Sequence, residues 1–207
     1  MKKFCFVLCV CLQAVMLHAA KPFLAEGGYY KKLSKNTVEL VGLDTIVLEN
    51  NVLTIRSKVE YNGQVYTVTR IGDYALCHPK YGKKKCTFME NLDLVLEEGI
   101  KNLGSHQFYH VGFHSIALPN SLEEIGDYVF EDCNLKSGYL KLPDGLRKIG
   151  DHAFEEMDID RLELPESLEY IGKLAFAGDS FFVPEYEQDG DCRHIKIDTM
   201  RIPLSDW

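Results

Sequence analysis

Short stretches in which apolar and polar residues alternate recur along the second half of the chain, and each leads into a turn and an Ile-Gly or Leu-Gly pair. Successive side chains of a β-strand point to opposite faces, so this alternation predicts strands with one buried face. We expect the following side chains to point inward: Leu94, Leu96, Ile116, Leu118, Leu140, Leu142, Leu162 and Leu164.

The phrases that contain the glycine pairs are nearly identical. They read IGDYAL from residue 71, LGSHQF from 103, IGDYVF from 125, IGDHAF from 149 and IGKLAF from 171, so their starts are separated by 32, 22, 24 and 22 residues. A unit of this length cannot bury its own apolar stripe, whereas stacked units bury a shared one. The pattern therefore predicts a solenoid in which equivalent strands of successive coils run in parallel.

Three columns of the repeat have a structural interpretation. The glycine of each phrase indicates either a positive φ or a place where neighbouring coils approach too closely for a Cβ atom. Large side chains four residues after the glycine predict a stacked aromatic spine, formed by Phe108, Phe130, Phe154 and Phe176, with Leu76 in the first copy. A further column beside the turn contains Tyr74, His106, Tyr128, His152 and Leu174.

Residues 59–176 resemble the BspA-type leucine-rich repeats, whose units combine a proline turn, Ile-Gly and Ala-Phe at fixed offsets, as in LKLPDGLRKIGDHAF from residue 140. The resemblance implies an α/β solenoid with a parallel strand ladder and short helical turns. Members of that family are exported or surface-attached bacterial proteins, often implicated in adhesion. The resemblance therefore implies a binding scaffold rather than an enzyme. Glu97 departs from the family pattern by replacing proline, and Gln107 by replacing alanine.

The two ends of the chain differ from the repeat. Residues 21–68 predict an N-terminal β cap, in which Asn62-Gly63 is a strong signal for a two-residue hairpin turn. Residues 69–207 form the predicted solenoid, which closes with a C-terminal strand cap whose Ile195 and Ile197 point inward.

Residues 1–20 have the layout of a secretory signal peptide, with two lysines, an apolar run and small residues at the end. We therefore expect an exported protein that is extracellular, on the cell surface or periplasmic. Removing this segment takes the net charge from −8 to −10, because Lys2 and Lys3 are lost. So acidic a chain repels nucleic acid and anionic membranes, and no later apolar stretch is long enough to span a bilayer.

Four of the seven cysteines follow the predicted signal peptide, an even number for an oxidising compartment. A disulfide between the nearest pair, Cys77 and Cys86, is favoured, and Cys133 and Cys192 are either paired or free buried thiols. The loop between Cys77 and Cys86 carries four lysines that either steer an anionic partner or keep the loop solvated: Lys80, Lys83, Lys84 and Lys85. This loop and the connection after Phe176 leave from one edge of the solenoid, where they either bind a partner, as such loops of repeat proteins often do, or only shield the terminal coils.

The outward strand positions predict a concave recognition surface of mixed charge. They form two continuous rows of side chains, Asp93, Ser115, Tyr139, Arg161 and His194 in one and Val95, Ala117, Lys141, Glu163 and Lys196 in the other. The alternative is that opposite charges such as Lys141 and Glu163 pair across adjacent strands for modest stabilisation.

Catalytic and metal-binding patterns are weak. His106, His110 and His114 are spaced by four residues, as zinc ligands on a helix would be, but the repeat register places His106 beside a turn, so we expect no metal site. Cys192 and His194 have no third group to orient them. Motifs of zinc proteases, α/β hydrolases and phosphate-binding loops are missing from the sequence. We expect no enzyme activity and no cofactor.

The leading hypothesis is a non-catalytic protein that binds a protein or glycan partner through the outward strand positions and the loops of one edge. A rigid array loses little entropy on binding. The alternative hypothesis is an envelope structural or assembly module that acts through self-association or a companion subunit.

Overall fold

A computed structural model describes residues 21–44, 48–76 and 90–178, and within these ranges five coils stack on one another. Each coil contributes strands to two parallel ladders. No segment of the described ranges is helical, and none offers an apolar helix that could cross a membrane. The strands are β1 Phe23–Ala25, β2 Gly28–Lys32, β3 Thr37–Leu43, β4 Val52–Ile55, β5 Lys58–Tyr61, β6 Gln64–Ile71, β7 Leu92–Leu96, β8 Asn102–Leu103, β9 Gly112–Ala117, β10 Glu124–Ile125, β11 Asn134–Leu135, β12 Tyr139–Lys141, β13 Lys148–Ile149, β14 Arg161–Glu163 and β15 Tyr170–Ile171.

One ladder consists of β4, β7, β9, β12 and β14, and we call it the long-strand ladder. β4, β7 and β9 pair in parallel, as do β12 and β14, so the predicted parallel strand ladder is confirmed. All eight side chains predicted to point inward are buried in the core or packed against it. Leu53 and Ile55 of β4 lie opposite Leu94 and Leu96, so the ladder begins inside the range that the sequence predicts as a cap.

The long-strand ladder is interrupted between β9 and β12, where the sequence predicts continuous rows. The first two residues of β9 pair with β11 instead, and Lys136 N donates to Phe113 O at 2.8 Å. The chain then turns at Gly138, which has a φ of 65° and donates its N–H to Leu135 O. This unit follows a repeat spacing of 24 rather than 22 residues, and the additional residues form this detour. The prediction of unbroken rows is therefore wrong at this point.

The second ladder, the short-strand ladder, joins the end of β6 to β8, β10, β13 and β15 in parallel. The glycine after each of these strands donates its N–H to the neighbouring strand that precedes it in the sheet, as Gly150 N does to Ile125 O at 2.8 Å. A Cβ atom added to Gly150 would lie 2.5 Å from the carbonyl carbon of Gly126 and 2.6 Å from Asp127 N. The repeated glycines do not have a positive φ, so close approach between coils is the reason for them.

The turns after these glycines are not helical, which corrects the expectation of short helical turns. An α-helix requires a negative φ at every position and hydrogen bonds within the segment. Here the N–H groups bond to the next coil instead, as Tyr128 N does to Asp151 O at 3.0 Å and Phe130 N to Ala153 O at 2.7 Å. The second residue after each glycine has a φ between 54° and 59°, at Tyr74, His106, Tyr128, His152 and Leu174.

Aromatic side chains stack along the coils in two columns. The rings of the predicted spine lie 5.4, 5.3 and 5.4 Å apart from Phe108 to Phe176, with interplanar angles of 15°, 19° and 14°. The predicted spine is confirmed, and all four rings are buried. The second column runs from Tyr74 through His106 and Tyr128 to His152, with ring centroids 4.6 to 4.7 Å apart, and its members are half-buried at the turn edge.

The N-terminal strands extend the short-strand ladder. β1, β2 and β3 are antiparallel neighbours, β3 pairs in parallel with β6, and β5 and β6 form an antiparallel hairpin. Asn62 and Gly63 have φ values of 52° and 74°, as a two-residue hairpin turn requires, so the predicted hairpin is confirmed. The Phe23 ring stacks on Tyr61 at 4.2 Å, which brings β1 next to β5 and curls the sheet around an apolar interior.

Several sequence predictions concern residues outside the described ranges. They are the signal peptide at residues 1–20, the Cys77–Cys86 bridge with Lys80, Lys83, Lys84 and Lys85, and the C-terminal segment with Cys192, His194, Ile195, Lys196 and Ile197.

Candidate binding surface

The outward side chains of the long-strand ladder fall into two groups, because the turn at Gly138 between β11 and β12 interrupts the pairing of β12 with β9. The first group, on β7 and β9, is half-buried, and the hydroxyl of Ser115 is hydrogen-bonded to the carboxylate of Asp93. Its predicted members are Asp93, Val95 and Ser115. The second group, on β12 and β14, is the Tyr139 cluster, which consists of Tyr139, Lys141, Arg161 and Glu163.

The Tyr139 cluster is ordered by contacts between its own side chains. Tyr139 lies opposite Arg161 in the strand register, and the guanidinium carbon of Arg161 is 5.5 Å from the centre of the tyrosine ring. Arg161 Nη2 donates to Glu163 Oε1 at 2.7 Å. Partial burial and the hydrogen bond and charge of Glu163 raise the pKa of Tyr139. The result is an aromatic ring beside a fixed cation, with 43% of the tyrosine exposed.

The charges of this cluster do not pair as the sequence alternative proposed. Lys141 lies opposite Glu163, but its Nζ atom is 3.7 Å from Asp144 Oδ1, whereas Glu163 is bound by Arg161. Exposed ion pairs of this kind contribute about 0–1 kcal/mol to stability. The fold therefore depends little on these side chains, and they are accessible to a partner.

Residues 101–183 match, in six copies, the family described as BspA type Leucine rich repeat region. This part of the chain is a BspA-type leucine-rich repeat region. The family resemblance predicted from the sequence is thus confirmed for this part of the chain.

Two solved leucine-rich repeat proteins share the fold. The T. pallidum protein TpLRR is 20% identical, with 76% of this chain and 67% of that chain covered and a TM-score of 0.54. A leucine-rich repeat protein from Bacteroides capillosus is 19% identical, with 69% and 97% covered and a TM-score of 0.53. These likenesses concern the fold. Among curated proteins, none matches the sequence.

Glu97 departs from the BspA-type proline for a reason visible in the backbone. Its N–H donates to Ile55 O at 3.0 Å in the parallel pairing with β4, and proline has no N–H to donate. Its carboxylate also accepts the N–H of Ser57 at 2.9 Å. Glu97 therefore connects the first two coils through its backbone and its side chain.

Gln107 departs from the BspA-type alanine in the same region. Its side chain is fully buried, and its Nε2 atom lies 2.9 Å from the carbonyl oxygens of Gly72 and Gly104. Its Oε1 atom accepts the N–H of Leu76 at 3.1 Å. In the next coils, the equivalent N–H groups bond to a backbone carbonyl, as that of Phe108 does to Val129 O. The amide of Gln107 thus replaces a backbone hydrogen bond at the end of the first coil.

We expect Gln107→Ala to destabilise the protein, although it restores the family residue. It leaves buried backbone groups without partners and opens a cavity, which costs about 2–4 kcal/mol. The matched change Val129→Ala, at the equivalent buried position of the next coil, removes only two methyl groups and costs about 1.5 kcal/mol. Urea denaturation of both variants measures the difference. A Gln107→Ala variant as stable as the wild type would contradict the role assigned to the amide.

Acidic side chains of the BspA-type phrase also bind backbone. Asp127 and Asp151, which follow the repeated glycine, accept the N–H of Asp151 and Lys173 at 2.9 and 2.8 Å. On the short-strand ladder, Glu124 binds Lys148 at 2.6 Å, and this hydrogen bond lowers the pKa of Glu124 and raises that of Lys148. These charges connect neighbouring coils, a role that the repeat spacing alone did not predict.

The three histidines of the SHQFYHVGFH stretch are not brought together. His106 stacks in the turn column, His110 Nε2 is 2.8 Å from Asp132 Oδ2, and His114 is exposed on β9. Among the residues that the structure describes, no three His, Cys, Asp or Glu side chains are placed to hold a metal ion.

Cys133 is a free, buried thiol, in agreement with one of the two alternatives that the sequence leaves open. Burial raises the pKa of this thiol to about 12. A thiol that stays protonated is a poor nucleophile, so Cys133 has the properties of a core residue.

Proposed function

We propose that this protein is an exported, non-catalytic leucine-rich repeat protein that binds a protein or glycan partner in adhesion or recognition. The Tyr139 cluster is the observation that carries the proposal. It presents an aromatic ring, a guanidinium and an ammonium group on two adjacent strands that pair in parallel with each other. Tyrosine and arginine are the residues most often found at the energetic centres of interfaces.

The order of the cluster supports binding rather than stability. Arg161 is held by Glu163 and by the ring of Tyr139 before any partner arrives, so little side-chain entropy remains to be lost on binding. The exposed ion pairs contribute little to folding. A surface that is ordered without being needed for the fold is well suited to recognition.

The wider proposal includes segments beyond the cluster. The recognition surface extends over Asp93, Val95 and Ser115 and continues to His194 and Lys196 in the C-terminal segment. Residues 1–20 direct export to the cell surface, the periplasm or the medium, and the cap of the first coil lies within residues 21–68.

The double variant Lys141→Glu/Arg161→Glu tests this proposal. Partners are first identified by capture from secreted and host-surface proteins and from glycan arrays, and affinities are then measured by surface plasmon resonance. We expect the variant to bind at least about tenfold more weakly, equivalent to about 1.4 kcal/mol, with a melting temperature within a few degrees of the wild type.

The control is Lys101→Glu/Arg147→Glu, which changes the charge equally on the short-strand ladder, where both side chains form exposed ion pairs. It should leave binding unchanged. Undiminished binding by Lys141→Glu/Arg161→Glu would refute the assignment of this surface. A concentration-dependent oligomer in sedimentation, with no external partner, would support an assembly module instead.

A further inference from the structure

The side chains of the Tyr139 cluster stand at the corners of a small rectangle on the sheet. Tyr139 lies opposite Arg161, and Lys141 lies opposite Glu163, in the register of β12 and β14. Neighbouring strands are about 5 Å apart, and alternate residues of one strand are about 7 Å apart. The area that the cluster encloses thus has the dimensions of a single sugar ring, so all four side chains can contact one such ring.

The ring of Tyr139 leans over towards the neighbouring strand. Burial raises the pKa of Tyr139, and a hydrogen bond and the charge of Glu163 raise it further. The tyrosine hydroxyl is therefore close to Glu163, which lies on β14 two residues beyond Arg161. The guanidinium of Arg161 lies over one face of the ring. Because 43% of the tyrosine is exposed, its other face is accessible to a ligand.

The break in the long-strand ladder leaves room beside this second face. β12 pairs with β14, and in the part of the chain that the structure describes it pairs with no strand on its other side. In an unbroken ladder, Ser115 of β9 would lie next to Tyr139 in the same row. Here the chain turns instead at Gly138, which has no side chain. No outward side chain of an adjacent strand therefore covers the face of Tyr139 that Arg161 leaves open.

The charges of the cluster and its surroundings nearly cancel. Arg161 is paired with Glu163 at 2.7 Å, and Lys141 with Asp144 at 3.7 Å. One further carboxylate, that of Asp160, lies against Gly138. An ionic ligand would gain little net Coulomb attraction here, because each charge that attracts it is next to one that repels it. A neutral ligand is therefore the better match.

The same charged groups retain unused capacity for hydrogen bonds. A guanidinium has five N–H donors and an ammonium group has three, whereas Arg161 gives one bond to Glu163 and Lys141 is in a single exposed ion pair. The carboxylate of Glu163 also has further lone pairs. Hydrogen bonds to charged groups are stronger than those between neutral groups. Donors and acceptors side by side suit a ligand with neighbouring hydroxyl groups, each of which both donates and accepts.

We propose that the Tyr139 cluster binds a β-linked glucose ring of a neutral glycan, an inference that rests on the recognition function proposed above and names its ligand. All hydroxyl groups of such a ring are equatorial, so both of its faces present only C–H groups. These carry partial positive charge and pack against the open face of Tyr139, whose π-electrons are negative. Neighbouring hydroxyl groups accept from Lys141 and Arg161 and donate to Glu163.

The probe is a tetrasaccharide of β-1,4-linked glucose, immobilised through its reducing end, and biolayer interferometry records binding of the protein. We expect saturable binding whose affinity changes less than about twofold between about 50 and 500 mM NaCl, because salt screens only charged ligands. The matched tetrasaccharide of β-1,4-linked glucuronic acid should bind no more tightly. Failure of the glucose probe to bind saturably, or tighter binding of the glucuronic acid probe, would overturn the inference.

Variants of the protein identify the site. Tyr139→Ala should weaken binding of the glucose probe at least about tenfold, with a melting temperature within a few degrees of the wild type, since the side chain is exposed. Tyr139→Phe keeps the aromatic face and should stay within about threefold of the wild type. Tyr170→Ala removes a similarly exposed tyrosine from the short-strand ladder and is the matched control. If Tyr139→Ala binds as the wild type does, or if Tyr170→Ala weakens binding equally, the sugar does not stack on Tyr139.

The outcomes separate this inference from the proposed function. If the glucose probe does not bind, whereas a captured protein does and loses affinity in Lys141→Glu/Arg161→Glu, the ligand class is wrong and the recognition surface stands. If neither the glucose probe nor any captured partner depends on the cluster, both proposals are wrong.

Discussion

Gly150→Ala is expected to lower the free energy of unfolding by about 3 kcal/mol or more, because overpacking against backbone cannot be relieved by a side-chain movement. The new Cβ atom would meet the backbone of the preceding coil at 2.5 and 2.6 Å. The two coils would have to separate, which also weakens the hydrogen bond from Gly150 N to Ile125 O. For a domain of this size, that loss lowers the melting temperature by about 6–12 °C.

Gly42→Ala is the matched control for this prediction. A Cβ atom at Gly42 would meet no atom within 4 Å, and its φ is not positive. We expect a change of less than about 1 kcal/mol, either neutral or stabilising through the unfolded chain. Thermal and urea denaturation measure the stability of both variants. A Gly150→Ala variant as stable as Gly42→Ala would contradict the close contact between coils.

Phe130→Ala should destabilise the protein by about 3–5 kcal/mol, the usual cost of removing a buried aromatic ring. Phe130 lies between two other rings of the spine, 5.4 Å from Phe108 and 5.3 Å from Phe154. It also meets the edge of Phe113 at 5.9 Å. The cavity would thus open in the shared interior of three coils, where the surrounding side chains cannot all collapse into it.

Tyr170→Ala provides the comparison, because this aromatic side chain is 48% exposed on the outermost short strand of the described residues. Its loss should cost less than about 1 kcal/mol, as exposed substitutions usually do. Urea denaturation measures both variants. Equal effects of the two substitutions would show that the spine is not the interior of the fold.

The spine and the glycine column could be predicted because both depend on the repeat spacing alone. A stacked coil places every equivalent residue in one column, so a phrase that recurs at 22 to 24 residues identifies neighbours without knowledge of the turns. Phe108 and Phe130 are neighbours for this reason. The same argument placed His106 beside Tyr74 and Tyr128.

The backbone pairing could not be predicted from that spacing. The columns of equivalent side chains do not reveal whether a backbone N–H group bonds within its own turn or to the next coil. Because Tyr128 and His152 have a positive φ, their N–H groups bond to the next coil. The sequence pattern did not identify the strand β4 as part of the first coil. The reason is that the β5–β6 hairpin lies between β4 and the Ile71-Gly72 pair, so the spacing of the repeat is not recognisable there. Likewise, the break between β11 and β12 arises from a spacing only two residues longer than in the neighbouring units.

The candidate binding surface could likewise be predicted only in part. Alternation correctly placed Tyr139 and Arg161 on the outward side of adjacent strands, but the partner of Glu163 depends on side-chain conformations that a pattern does not contain.

The central claim is that successive coils share one interior, and double-mutant cycles along the spine test it most directly. Phe→Leu changes keep the variants folded while removing the ring contact. For Phe130 and Phe154, whose rings are in contact, we expect a coupling of about 0.5–1.5 kcal/mol. For Phe108 and Phe176, which are separated by two further rings, we expect a coupling within about 0.5 kcal/mol of zero. No coupling between Phe130 and Phe154, or an equal coupling for both pairs, would contradict the stacked arrangement.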